Sequence, residues 1–180
     1  MAMRATEVIR RFDAAELSLC VQLNRACAQP QVREFFRAIS RLGDGVLWYA
    51  LMLVLPLLYG EIGRHLALQM VVTGLVGVMV YKGLKRTLVR ERPFISDTRI
   101  QLGMGPLDRY SFPSGHTLHA VSFTILASAY FPELALLLVP FAALVATSRV
   151  ILGLHYPSDV LAGALLGTLL STLSLYLVGI

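Results

Sequence analysis

Five stretches of the chain contain no Lys, Arg, Asp or Glu and are separated by polar connections. They are Gly45 to Gly60, Leu66 to Tyr81, Thr117 to Pro132, Leu134 to Ser148 and Val160 to Ile180. A helix rises about 1.5 Å per residue and the hydrocarbon core of a bilayer is about 30 Å thick, so the shorter stretches need flanking residues to cross it. The pattern predicts an all-α integral membrane helical bundle of about five transmembrane helices.

Two helical patterns precede the first of these stretches. Between residues 31 and 42, apolar side chains recur at helical spacing, and three arginines placed four residues apart share another face. This pattern predicts a helix that leads into the first span through a bend near Gly43-Asp44-Gly45. Residues 8 to 28 show a weaker amphipathic pattern, which predicts a helix that lies on the membrane interface and has an internal break capped by Asp13.

The composition agrees with a membrane protein. Hydrophobic residues make up 56% of the 180 residues and charged residues 15%, against roughly 25% charged residues in a typical soluble domain. Such a chain is too hydrophobic to be disordered, and two cysteines are too few for a disulfide scaffold. We expect residues 1–30 to form the amphipathic interfacial segment and residues 31–180 to form one membrane domain.

The charge balance indicates the kind of partner. A net charge of +5 is compatible with nucleic-acid binding, but the long uncharged stretches leave little water-soluble surface for a duplex. Membrane lipids and anionic substrates are therefore the expected partners, and no nucleic acid is expected.

Cys20 and Cys27 are too far apart along a helix to bridge each other, which predicts free, buried thiols. Gly163, Gly167 and Ser171 form a small-residue ridge that predicts close helix packing in the last span.

Three clusters of ionisable residues lie at the ends of predicted spans. The first contains Lys85, Arg92 and Pro93, the second Pro113-Ser114-Gly115-His116, and the third Ser148-Arg149, His155 and Asp159. Counting the predicted crossings between them places all three on one membrane face, where they can converge. Lys85 and Arg92 are two helical turns apart and point the same way if the helix continues between them.

The residue types in these clusters fit phosphoryl transfer, although each cluster alone has a simpler interpretation. The cations alone are equally consistent with side chains that snorkel at the membrane boundary, and Ser114-Gly115 with a plain helix cap. Together they offer cations and free backbone N–H groups for an anion, with His116 facing it. His155 and Asp159 are four residues apart, so the carboxylate can orient the imidazole as a nucleophile. A metal site would need more converging ligands than the sequence offers there.

These motifs resemble the three-part signature of the type 2 phosphatidic acid phosphatase family. The signature reads Lys85, six residues, Arg92-Pro93; then Pro113-Ser114-Gly115-His116; then Ser148-Arg149, five residues, His155, three residues and Asp159. The resemblance implies a metal-independent membrane lipid phosphatase with a helical-bundle core, a phosphohistidine intermediate and no cofactor. The family also includes soluble vanadium haloperoxidases, but the hydrophobic composition and the five predicted spans argue against that branch.

The resemblance also assigns roles to individual residues. His155 is the expected nucleophile, Asp159 orients it, and His116 is the general acid for the leaving group and later the base for water. The expected phosphate ligands are Lys85, Arg92, Arg149, the Ser114 hydroxyl and the Gly115 amide. Expected substrates are a lipid phosphate or diphosphate, such as phosphatidic acid, phosphatidylglycerophosphate or undecaprenyl diphosphate. The alternative class is a non-catalytic protein that binds or transports anionic lipids, which has no need for an oriented His155.

The sequence gives two opposing indications of how the protein is oriented in the membrane. Nearly all Lys and Arg residues lie on the predicted active-site face, which the positive-inside rule would place in the cytoplasm. Phosphate chemistry accounts for most of those cations, however, and this weakens the rule here. The family resemblance implies a bacterial inner-membrane protein with its active site on the extracytoplasmic face.

Overall fold

The computed structural model describes the backbone of residues 2–180 and the side chains from residue 11 onwards. The described chain is all-helical, as the hydropathy pattern predicted. Its α-helices are α1 (Ala2–Asn24), α2 (Pro30–Arg41), α3 (Leu47–Thr87), α4 (Pro93–Ser96), α5 (Gly115–Tyr130), α6 (Ala135–Ile151) and α7 (Pro157–Val178). Short helical turns at Arg25–Ala28, Leu42–Val46 and Pro132–Leu134 connect some of them.

Helix α3 folds back on itself at Gly60. This glycine has φ 55° and ψ −124°, a conformation that residues with a Cβ atom rarely adopt. A Cβ atom on Gly63 would lie 2.1 Å from the backbone oxygen of Leu55, although a continuous helix would hold these residues about 12 Å apart. The helix therefore consists of two adjacent arms, residues 47–59 and residues 61–87. The first arm covers most of the charge-free stretch Gly45 to Gly60, and the second contains the stretch Leu66 to Tyr81.

Helix α5 lies at the centre of the bundle and packs against α3, α6 and α7. Its contact with α7 depends on glycine: a Cβ atom on Gly163 would lie 2.4 Å from the backbone oxygen of Ser114, and one on Gly167 would lie 2.5 Å from that of Leu118. The small-residue ridge predicted from the sequence therefore brings the two helix backbones together. It also sets the start of α5 beside the start of α7.

The outer surface of the bundle is apolar. Large hydrophobic side chains such as Leu57, Leu136 and Leu165 are exposed along α3, α6 and α7. Three helical segments of the described chain are long and apolar enough to cross a membrane: Pro30–Thr87, Pro132–Ile151 and Pro157–Val178. Because such a surface is stable only in contact with lipid, the chain is an integral membrane protein.

Helix α1 packs against the α6 and α7 side of the bundle. It continues through Asp13 without interruption, so the predicted break there is wrong. The Asp13 side chain lies on the exposed face of the helix, where water can solvate it without a cap. Cys20 and Cys27 are buried and free, as predicted.

Candidate active site

A cavity of about 450 Å³ lies between the Leu42–Val46 turn, both arms of α3 and the start of α5. Its polar end brings together predicted site residues from all three motifs: Lys85, Arg92, Gly115, His116, Arg149 and His155. The remainder of the wall is largely apolar and includes Trp48, Met52, Met70, Leu75 and Phe123. The cavity can therefore hold an anionic group at one end and hydrocarbon at the other.

His155 and Asp159 form a buried pair at the start of α7. His155 Nδ1 lies 3.6 Å from Asp159 Oδ2, and both side chains are almost completely inaccessible. Pro157 opens the helix, so His155 lies just before the first turn, as the sequence predicted, while the Asp159 carboxylate accepts a hydrogen bond from the Tyr156 backbone N–H at 2.9 Å. The other ring nitrogen, Nε2, lies 3.3 Å from Arg92 Nη1, and His155 lines the cavity.

The surroundings of His155 keep its ring neutral. Burial lowers the pKa of His155 well below its usual value, and the neighbouring charges of Arg149, Arg92 and Lys85 lower it further. A neutral imidazole has a free electron pair on one nitrogen, whereas an imidazolium has none. This environment therefore suits a nucleophile.

Lys85 and Arg92 meet at a carboxylate that the sequence analysis did not identify. Lys85 Nζ donates to both oxygens of Asp108, at 2.7 and 2.9 Å, and Arg92 Nη2 donates to Asp108 Oδ1 at 2.7 Å. Helix α3 ends at Thr87, so the helix does not continue from Lys85 to Arg92 and the condition for their alignment along one helix is not met. Partial burial alone would raise the pKa of Asp108, but the two cations outweigh it and lower the pKa overall.

Arg149 and the N-terminus of α5 complete the cationic end. The Arg149 side chain is buried and donates a hydrogen bond to the Ser40 hydroxyl of α2. Ser114 caps α5: its Oγ accepts from the Thr117 N–H and lies 2.9 Å from the Thr117 hydroxyl oxygen. Gly115 lines the cavity, whereas Ser114 is buried behind it. A phosphate contact from the Ser114 hydroxyl stays a prediction.

His116 also faces a carboxylate that the sequence analysis did not assign to the site. Its Nε2 lies 3.2 Å from Oδ1 of Asp44, which belongs to the Leu42–Val46 turn. Gly45 in that turn has φ 133°, and a Cβ atom on Gly43 would lie 2.7 Å from the Val145 side chain. The two glycines therefore produce the predicted bend and also place Asp44 beside His116. The sequence signal for a functional role of Asp44 is its position as a charged residue at the start of an apolar span.

Several known proteins resemble this chain in sequence and in fold. Residues 65–179 match the PAP2 superfamily. An undecaprenyl-diphosphatase from Sulfolobus acidocaldarius is 31% identical over 139 residues, which are 76% of this chain and 66% of that protein. A lipid A 1-phosphatase from Rhizobium johnstonii is 32% identical over 63% of this chain and 46% of its own length. The chain thus spans less than two thirds of these relatives. The crystal structure of Aquifex aeolicus LpxE superposes with a TM-score of 0.77 at 27% identity, covering 89% of this chain and 94% of that one.

Proposed function

Because this chain belongs to the PAP2 superfamily, we propose that it is a membrane phosphatase that hydrolyses a lipid phosphate or diphosphate without a metal ion. The observation that supports this most directly is the cavity, which combines a buried, oriented histidine and the three predicted phosphate-binding cations with an apolar wall. A protein that only binds or transports anionic lipids would use the cations and the apolar wall. It would not require the oriented His155.

The proposed reaction has two steps. In the first, His155 Nε2 attacks phosphorus, the bond from phosphorus to the leaving oxygen breaks, and His116 protonates that oxygen. Asp159 Oδ2, which lies 3.6 Å from Nδ1, would stabilise the positive charge that the His155 ring gains when it is phosphorylated. In the second, His116 takes a proton from water as the water attacks phosphorus, the phosphorus–nitrogen bond breaks, and inorganic phosphate leaves.

Lys85, Arg92 and Arg149 would take the part that metal ions have in many other phosphatases. Charge on the phosphoryl oxygens must be balanced in the transition state, and cations fixed in a cavity do this without reorganisation. The Gly115 amide, at the start of α5, adds an N–H donor at the positive end of a helix dipole. These groups recognise only the phosphate, so the lipid must be selected elsewhere.

The apolar wall is suited to the first part of a lipid chain. The names of the relatives suggest undecaprenyl diphosphate and lipid A 1-phosphate as candidates, beside phosphatidic acid and phosphatidylglycerophosphate.

Phosphate release should be measured with purified full-length protein in detergent over this panel, with EDTA present. We expect turnover of at least one lipid, insensitivity to EDTA and inhibition by vanadate, which mimics the in-line transition state. Binding without phosphate release would favour the non-catalytic alternative, and zinc- or magnesium-dependent turnover would contradict the mechanism.

The proposed membrane arrangement counts the two arms of α3 separately and includes α5, which gives five crossings. Residues 1–30 would form the interfacial segment and residues 31–180 the membrane domain, with the active site on the extracytoplasmic face of a bacterial inner membrane. To test this, the variant Thr98→Cys is made in a background in which Cys20 and Cys27 are replaced. A membrane-impermeant thiol reagent should label it in intact cells. Labelling only after lysis would reverse the orientation.

A further inference from the structure

Arg90 lies two residues before Arg92 but contacts a different side of the His155–Asp159 pair. It does not line the cavity. Its Nη1 donates to Asp159 Oδ1 at 2.7 Å and to the Ser158 hydroxyl at 2.7 Å, and its guanidinium plane stacks on the Tyr156 ring with 4.0 Å to the centroid. Hydrogen bonds and stacking therefore fix the orientation of this guanidinium, which touches the catalytic carboxylate but not the space where substrate would bind.

The second carboxylate that binds Arg90 comes from α1. Glu16 Oε2 accepts from Arg90 Nη2 at 2.7 Å, and Glu16 Oε1 accepts from the backbone N–H of Ser158. The Glu16 side chain is only 4% exposed and that of Arg90 is 27% exposed, so this contact is partly buried. Because the first N–H groups of a helix have no partner within it, a carboxylate from another helix stabilises that end. Glu16 thus connects α1 to Arg90 and to the first turn of α7.

The Asp159 carboxylate depends on such a partner. It is completely buried, and a buried ionised carboxylate is costly unless a cation and hydrogen bonds compensate it. Oδ2 is directed towards the Tyr156 N–H and the His155 ring, whereas Oδ1 binds Arg90. Without Arg90, the carboxylate would take up a proton or rotate, and it would then lose the negative charge or the orientation that stabilises the Nδ1 side of His155.

From this geometry we infer that Arg90, held by Glu16 of the N-terminal helix, is a positioning residue that keeps Asp159 ionised and correctly oriented towards His155. This inference rests on the proposed phosphatase function. It also gives α1 a specific role in the reaction, because Glu16 belongs to a segment that contains none of the three motifs.

A double-mutant cycle tests the inference through turnover. Arg90→Gln should lower kcat about tenfold to a hundredfold, since small displacements of a reacting group cost about that much. KM and the inhibition constant for vanadate should change less than about twofold, because the phosphate ligands are intact. In an Asp159→Asn background the same change should cost less than about threefold. Arg86→Gln removes an exposed arginine nearby and is the matched control, with wild-type turnover expected.

Thermal unfolding gives a second measurement that does not depend on turnover. Arg90→Gln leaves the Asp159 carboxylate uncompensated and should lower Tm in the wild-type background more than in the Asp159→Asn background. If Arg90→Gln does not fold, the same double-mutant cycles are measured with Glu16→Gln. We expect the kcat of that variant to be about fivefold below wild type, because a charge-assisted hydrogen bond becomes a neutral one.

The outcomes separate this inference from the proposed function. Additive losses of kcat and Tm, or a raised KM at constant kcat, would overturn the positioning role of Arg90. A wild-type protein that releases no phosphate from any lipid of the panel would instead refute the proposed function, and the Tm cycle would still decide whether Arg90 and Asp159 are coupled.

Discussion

The site contains two histidine–carboxylate pairs that differ in how they are built. His155 and Asp159 lie four residues apart at the start of one helix, and their side chains are 2% and 0% exposed. His116 and Asp44 come from α5 and from the turn before α3, and their side chains are 9% and 35% exposed. Both histidines line the cavity, but the first pair is buried at the start of a single helix, whereas the second joins two separate elements and is more exposed.

This difference matches the two chemical tasks in the proposed reaction. A nucleophile must stay neutral and must approach phosphorus from one direction, so a local, buried and rigid pair is suitable. A general acid must reach the oxygen of the departing lipid, which lies on the cavity side, and must exchange its proton between the two steps. A more open pair can do this. Changes to the first pair should therefore affect all substrates equally, and changes to the second should depend on the leaving group.

The largest effect is expected from His155→Ala. Without the nucleophile no phosphohistidine can form, and turnover should fall to background for every lipid phosphate and diphosphate. Phosphate release and acid-labile phosphoenzyme after rapid quenching provide the measurement. His65→Ala removes an exposed histidine from the second arm of α3 and serves as the control, with wild-type turnover expected. Substantial turnover by His155→Ala would contradict the assigned nucleophile.

The next largest effect is expected from His116→Ala, and it should vary with substrate. General acid catalysis commonly contributes about a hundred- to ten-thousandfold. A lipid alkoxide needs protonation to leave, whereas a diphosphate releases a much weaker base, so the loss should be larger on phosphatidic acid than on a lipid diphosphate. His119 is the comparison in the same helix, because its ring lies within hydrogen-bonding distance of the Gly115 and Gly74 carbonyl oxygens. A loss confined to His119→Ala would reverse the roles.

The same contrast shows which features could be predicted from sequence. His155 and Asp159 could be paired because helical spacing is local, and the membrane bundle could be predicted because hydropathy follows each helix. The pairing of His116 with Asp44 joins residues 72 positions apart, and it depends on a backbone turn whose geometry no local pattern specifies. Asp108 lies in a long connection without periodicity, so its contacts with two cations were equally unpredictable.

A smaller effect is expected from Asp44→Asn, which tests whether the second pair acts as one unit. The variant keeps the size of the side chain but loses the charge that favours a protonated His116. His116 Nε2 lies 3.2 Å from Asp44 Oδ1, close enough for a charge-assisted hydrogen bond once His116 is protonated. Such a bond is worth about 1.5–3 kcal/mol, so kcat on phosphatidic acid should fall about tenfold to a hundredfold. The loss should be smaller on a lipid diphosphate and almost absent in a His116→Ala background. Equal losses on both substrates would indicate a structural role for Asp44 in the turn.

The smallest effect is expected from Asp108→Asn, which probes Lys85 and Arg92, two cations that line the same cavity as both histidines. The Asp108 carboxylate binds Lys85 and Arg92, the groups proposed to hold the phosphoryl oxygens, so an incoming phosphate must compete with it. Asp108 is partly exposed, and such ion pairs are worth about 0.2–1 kcal/mol. Removing the charge should therefore lower KM and the inhibition constant for vanadate about two- to fivefold, with little change in kcat. Asp97→Asn breaks a comparable pair with Arg99 outside the cavity and should leave both constants unchanged. If Asp108→Asn instead raises KM, the carboxylate holds Lys85 and Arg92 in position for the phosphate and does not compete with it.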